Sequence, residues 1–331
     1  MIPTLVVHAD WSTAQHKRWL AKAVWNDNRY EACATEPVED PKTLLTQLAA
    51  TAGPDGCVLL GFDFPIGLPL AYARRAHIDN FLGWLPNFGQ GDWPEFYAVA
   101  EWPDQISLRR PFYPQRPGAS KRQHLVDKLG LTGFDDLRRK CELAHLGRRA
   151  ASPLFWTLGG QQVGKAAIVG WQQLLAPALR DETFDLALWP FSGALFDLVK
   201  PGRLIVAETY PTEYYEHLGI AFRPSQQGQR TGKRVQTCRA DNQQTILNWA
   251  TEAGVVLAST LRAEIGAGFG SAANGEDRFD AAVGLFGMLN VLLGHRRLDE
   301  PTEPATRRVE GWILGQSTDW LIAHNKEKQD V

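Results

Sequence analysis

Three apolar runs in this chain each stop on an acid, and the rest of the pattern is read around them. Residues 4–12 (TLVVHADWS) run apolar to Asp10 and then turn at once into small polar side chains. Residues 57–65 (CVLLGFDFP) repeat the pattern with Asp63, and residues 203–211 (RLIVAETYP) repeat it with Glu208. A buried strand cannot carry an unpaired charge without a large desolvation cost. Each acid is therefore expected at a strand end, facing a partner or a site.

Between the first two runs, residues 18–25 predict a second strand, Asn26, Asp27 and Asn28 a turn, and residues 29–35 a third strand. Three strands joined by short turns make an antiparallel meander. Pro41 opens a helix to Ala52, with Leu44, Leu45 and Leu48 at helical spacing and Gly53-Pro54 as its stop. The Asp63 strand then returns parallel to the first, which brings Asp10 and Asp63 to the same edge of the sheet. From about 65 to 188 the periodicity loosens. Pro, Gly and Trp are frequent to about 117, and helical stretches follow at 134–146 and 163–179. This segment is expected to be a mainly helical insertion in a single domain of residues 1–331. Alternation resumes at 184–189 and in the Glu208 strand. A short helix (212–218), a polar loop (225–234), a helix (about 239–253) and a short strand (254–259) come next. A glycine-rich loop (266–275) leads into a long helix, 277–293.

Composition narrows the class without naming a partner. Hydrophobic residues make up 44% of the 331 and charged residues 22%, as in ordinary globular chains. Thirty-five basic and thirty-seven acidic side chains leave a net charge of −2, so any surface for a polyanion must be local. Cys33, Cys57, Cys141 and Cys238 are far apart, with no CxxC pair. They are expected to be free thiols in a reducing cytoplasm, without zinc. The chain starts without a basic leader followed by a long apolar stretch, and no run reaches the ~20 apolar residues of a membrane span. A cytoplasmic protein with no membrane partner is the expectation; oligomeric state is not legible.

The long helix begins Glu276-Asp277-Arg278-Phe279-Asp280. Asp277 and Asp280, three apart, share one face near its N-terminus. Acids there can cap free N–H groups and complement the dipole. Each strand-end acid also has a plain reading. Asp10 could cap a turn through Ser12 or Thr13, Asp63 could hold an Asx turn before Pro65, and Glu208 could pair with Arg203 or Arg239. Taken together, carboxylates from several strands and a helix repel one another unless a cation holds them. Oxygen-only donors suit Mg2+ or Mn2+, and two such ions can activate a water and steady a leaving oxygen.

Basic residues cluster at Arg109, Arg110, Arg116, Lys121 and Arg122, at Arg138, Arg139, Lys140, Arg148 and Arg149, and at Arg230, Lys233, Arg234 and Arg239. Phe112 and Tyr113 interleave the first group. Such stretches are either solvated helix faces or contacts to a phosphodiester backbone. The polar loop with Lys233 and Arg234 is the favoured phosphate contact. Two look-alikes are rejected. Residues 159–166 approach a P-loop, but Ala166 stands where a metal-binding hydroxyl is needed. Residues 266–270 lack dinucleotide spacing and read as a flexible loop.

The segments HADWS, GFDFPIGLP, AETYPTEYYEHLG and EDRFDAAVGL, with SPLFW at 152–156 and GKAAI at 164–168, carry a resemblance over most of the chain. Together they resemble a family of uncharacterised proteins often called predicted nucleases. The resemblance implies an α/β fold of ribonuclease H-like architecture. Its mixed five-stranded sheet would combine an antiparallel meander with parallel strands, flanked by helices, with the helical insertion at about 65–188. It implies a nuclease cleaving DNA or RNA with two Mg2+ or Mn2+ ions. Asp10 would match the superfamily's first-strand acid, Asp63 its fourth-strand acid, and Asp277 or Asp280 its helix acid. Glu208 departs slightly, because Thr212 separates Pro211 from Glu213, and the Phe-Pro-Ile-Gly after Asp63 is not usual there. The expected centre is thus Asp10, Asp63 and Asp280 holding ions, with Asp277 and Glu208 in support. Lys233, Arg234, Arg239 and Ser12 are placed on the substrate. Two other classes stay open. One is an actin-like or sugar-kinase-type ATP-binding phosphotransferase, for which a second phosphate loop is not visible. The other is a non-catalytic nucleic-acid-binding module.

Overall fold

The structure, a computed structural model, describes residues 1–118, 120–145, 148–159, 163–222 and 231–320. The chain is α/β, with a mixed sheet of parallel and antiparallel strands flanked by helices. It divides into two compact units, residues 1–63 with 196–298 and residues 64–195 with 299–331.

The first unit contains strands β1 (Leu5–Asp10), β2 (Trp19–Asn26), β3 (Arg29–Ala32), β4 (Glu36–Pro37), β5 (Val58–Phe62), β6 (Leu204–Glu208) and β7 (Val256–Leu257). Its helices are α1 (Pro41–Ala52), α2 (Pro211–His217), α3 (Gln236–Ala240), α4 (Gln243–Glu252), α5 (Ser259–Gly266) and α6 (Gly275–Leu292). The strands lie in the order β6-β5-β1-β2-β3-β7, with β4 also paired to β2. β1 and β2 are antiparallel, as are β2 and β3, while β5 and β6 run parallel to β1. The hairpin turn is tight because Asp27 and Asn28 both take positive φ (47° and 62°), which short polar side chains tolerate. α1 starts at Pro41 behind Asp40, whose carboxylate accepts from Lys42 N (3.0 Å).

Eight strands occur among the described residues, where five were expected. β4 and β7 have two residues each, too short for alternation to register in a sequence. The expected helix 239–253 is two helices, α3 and α4. Asn242 separates them, and its side chain bonds both Ala221 N and Ala221 O (3.0 Å each) and Cys238 O (2.9 Å).

β1 and β5 are buried along almost their whole length, and α6 packs on β1 and β2. α6 is apolar nearly all round and almost wholly buried, from Phe279 through Leu292. Each large side chain so covered contributes roughly 1.5–3 kcal/mol. Close approach to the sheet requires small residues at two points. A Cβ at Gly284 would overlap the His8 ring on β1, and one at Gly61 on β5 would overlap the Met288 sulfur on α6. These contacts fix how α6 lies over the strand ends, and so where its first turns fall.

The second unit holds one short strand (Leu186–Leu188) and many short helical pieces. Of the expected helix 134–146, whose last residue lies outside the described residues, 134–145 forms two 3-10 turns instead, Phe134–Leu137 and Lys140–Glu142. Its polar pattern is spent on a buried ion pair: the Arg139 guanidinium donates to Glu142 Oε1 (2.8 and 3.0 Å). The stretch from Val163 to Arg180 is helical, with a π turn at Trp171–Leu175. Trp171 packs edge-on to Phe81 and stacks over Phe96, within an aromatic core that also includes Phe88 and Trp93. All four cysteines are free thiols. Among the described residues no helix is long and apolar enough to cross a membrane.

Candidate active site

Asp10 is the last residue of β1, and the register Ala9↔Phe62 sets Asp63 beside it, one step past β5. Asp63 does not hold an Asx turn. Its Oδ1 accepts the backbone N–H of Trp11 (2.7 Å), which ties the two strand ends together. The turn after Asp10 is pinned by Arg18. Its Nε donates to Ser12 O (2.6 Å), and its guanidinium stands 4.5 Å over the Trp11 ring.

Strand alternation puts His8, Asp10 and Asp63 on the α6 side of the sheet. His8 is fully buried and neutral, its proton affinity lowered to about 3 by desolvation, and its Nε2 is hydrogen-bonded to Thr209 Oγ1 (2.9 Å). Because His8 packs at Gly284, the residues one and two helical turns nearer the start of α6 fall toward the strand ends. Those residues are Asp280 and Asp277.

The electrostatics record the gathering. Burial pushes Asp10 well above the ordinary carboxylate range, and Asp63, Asp280 and Asp277 add to the push. Burial raises Asp63 to about 6, with Asp280 contributing repulsion and the Trp11 N–H opposing it. Asp280 is raised by burial, against the pull of Lys233. Asp277 is raised by burial, with Glu276 and Asp280 adding to it and Lys17 opposing.

Asp280 is the most heavily bonded member. Tyr215 Oη donates to its Oδ1, and Lys233 Nζ pairs with its Oδ2. It therefore serves side chains and not the helix's free N–H groups. Lys233 Nζ also lies 3.4 Å from Glu276 Oε1. Burial alone would lower its pKa, but Asp280 and Glu276 outweigh that and hold the ammonium above its ordinary value.

Three of the expected residues are placed otherwise. Glu208 pairs in register with Phe62, one position out of step with Asp63, so alternation turns its buried side chain to the opposite face. It acts on Tyr214 and is not among the main charges on Asp10, Asp63 or Asp280. Arg239 is buried. Its guanidinium donates to Lys233 O (2.5 Å), Gly268 O (2.8 Å) and Gly270 O (2.7 Å), so the glycine-rich loop expected to be flexible is pinned. The Ser12 hydroxyl accepts Ala14 N (3.3 Å) inside its own turn. Arg234 is largely exposed, 3.6 Å from Glu276. Residues 223–230 of the polar loop, Arg230 among them, lie outside the described residues, as do 160–162 of the rejected P-loop look-alike.

The basic stretches of the second unit are mostly engaged. Arg110 pairs with Glu95, Arg116 with Glu101, Arg138 with Asp135 and Lys140 with Glu303. Arg109 lies over Trp93, and Arg148 donates to Cys141 O and Leu143 O. Tyr215 and Glu276 are members of the centre that sequence reasoning missed. Glu276 stands four residues before Asp280, a helical spacing that could have drawn attention to it. Tyr215 gives no such sign.

Among the described residues no three Asp, Glu, His or Cys side chains form a ready-made metal cage. The donor set nonetheless fits a hard cation in kind: oxygen only, strongly negative, and with Asp277 Oδ2 buried without a hydrogen-bond partner. Comparison with family models, with curated proteins and with solved structures found no match for this chain.

Proposed function

We propose that the first unit is a divalent-metal-dependent phosphodiester hydrolase of ribonuclease H-like architecture, acting on DNA or RNA. The observation that carries this reading is the convergence of Asp10, Asp63, Asp277 and Asp280 at one sheet edge, each raised in pKa. The order β3-β2-β1-β5-β6, with an antiparallel meander followed by parallel strands, supports the fold assignment. Mg2+ or Mn2+ would be held by Asp10, Asp63 and the unpartnered oxygen of Asp277, with Asp280 behind them. When bound, such an ion supplies a water of lowered pKa and a counter-charge for phosphate. The chain's own parts do the rest. The Trp11 N–H orients Asp63, Tyr215 and Lys233 fix Asp280, and Arg239 holds the backbone of Lys233.

The test uses the whole chain with Mn2+ and labelled single-stranded and duplex substrates. Asp10→Asn should abolish Mn2+-dependent cleavage while keeping the circular-dichroism spectrum. Mn2+ at a hundred times its Kd should stabilise the wild type by about 2.7 kcal/mol and leave Asp10→Asn unmoved. Undiminished cleavage in the variant would remove the assignment. Mn2+ binding without cleavage would leave a nucleic-acid-binding module, and stabilisation by ATP alone would favour the phosphotransferase class.

A further inference from the structure

We infer that Lys233 is a resident second cation of the carboxylate centre, so that the centre takes one divalent ion beside the ammonium instead of two ions. This rests on the metal-dependent reading above and makes it more specific.

A two-ion centre needs carboxylate oxygens shared between cations about 3.5–4 Å apart. Each oxygen of Asp280, expected from the sequence to be such a ligand, already has a donor from the chain. Oδ1 takes the Tyr215 hydroxyl and Oδ2 takes the Lys233 ammonium. The same ammonium reaches Glu276 Oε1 at 3.4 Å, so it bridges two acids of α6 as an ion would. Asp277 Oδ2 is in the opposite condition, buried and unpartnered. The centre thus separates into a half whose charge the chain satisfies itself and a half left for an ion at Asp10, Asp63 and Asp277.

The lysine's position is built, not incidental. Its carbonyl is held by the buried Arg239, which also holds Gly268 O and Gly270 O in the loop that leads into α6. Gly275, the first residue of α6, leaves no room for a Cβ beside that guanidinium. Lys233 and the acids it bridges are therefore carried on one clamped piece of backbone. An ammonium so placed is a compact, permanent positive charge with N–H groups suited to phosphate oxygens. It gives the site a cation that no chelator removes.

The experiment is titration calorimetry of the full chain with Mn2+, counting ions per chain, on the wild type, Lys233→Met and Lys233→Arg. Circular dichroism confirms the fold of each. One ion in the wild type and in Lys233→Arg, rising to two in Lys233→Met, supports the inference. Two ions in the wild type, or one in both the wild type and Lys233→Met, would overturn it and leave the metal-dependent reading standing. No binding in any of the three would remove that reading and the inference with it. Should Lys233→Met fail to fold, the wild-type count decides alone: one ion upholds the inference and two overturn it.

Discussion

Each unit of this chain contains a buried cluster of charge, and the two are built on opposite terms. In the second unit, Arg139 is wholly buried and spends its guanidinium on Glu142, on Ile66 O and on Glu310 O (3.1 Å each for the carbonyls). Glu310 beside it is pushed up to about 7 by burial and is bonded through Leu70 N and Thr306 Oγ1. The charges of Arg139 and Glu142 there match each other. In the first unit, Asp10, Asp63, Asp277, Asp280 and Glu276 gather around the Lys233 ammonium, with Lys17 bearing on Asp277 and Arg234 on Glu276, and the buried Oδ2 of Asp277 has no hydrogen-bond partner. A buried network whose purpose is to hold the fold is expected to be satisfied; one left short of positive charge is where the proposed function places its cation.

That contrast can be broken at its strongest point first. Arg139→Met removes the buried guanidinium of the matched cluster and strands Glu142. Denaturant unfolding should show a loss of about 3–5 kcal/mol. A loss below 1 kcal/mol would mean that the matched cluster is not structural.

The unmatched cluster should respond in the other direction. Asp63 is raised from 3.8 to about 6 in the folded chain, so between those values the folded state holds a proton that the unfolded state has released. Its contribution to stability is present below 3.8 and is lost as pH rises through about 6. In chelator, the melting temperature should therefore fall over that window. Asp63→Asn, which keeps an acceptor for Trp11 N, should flatten the fall and stabilise the metal-free chain at pH 8 by on the order of 1–3 kcal/mol. Thermal melts from pH 4 to 8 decide it, and a variant less stable than wild type at pH 8 would contradict the reading.

The smallest expected effect is a control on surface charge. Lys22 and Glu36 form a half-exposed pair at 2.9 Å across β2 and β4. Lys22→Met should change stability by less than about 1 kcal/mol, since water already screens both groups. A larger loss would show that exposed pairs here carry weight reserved above for buried ones.

The framework of the first unit was readable because its signals are local. An apolar run ending on an acid is both a strand and its end, and Pro41 to Gly53 brackets a helix in the sequence as it does in space. The convergence of Asp10, Asp63 and Asp277–Asp280 follows from strand order and one helix face. Glu208 cannot be told from the other two by its run, because a single residue of register decides which face a side chain takes. In the sequence, Arg239 and Lys233 look alike as cations for a substrate. Whether an arginine meets a phosphate or three carbonyls depends on a loop some thirty residues away, and no spacing encodes that. The stretch 134–146 failed as a helix for a related reason: Arg139 and Glu142, three apart, look like a solvated helical pair and instead fold inward.

The glycine at 284 and the one at 61 have a reach beyond the contacts they permit. Together they act as a keyed seat for α6, and Asp277 sits about 10 Å along the helix axis from that seat, two turns away. A lever of that length converts a small change in the seat into a shift of the acids relative to Asp10 and Asp63. The spacing of the acids is thus sensitive from the interior to a methyl group added at either glycine, with no acid itself substituted.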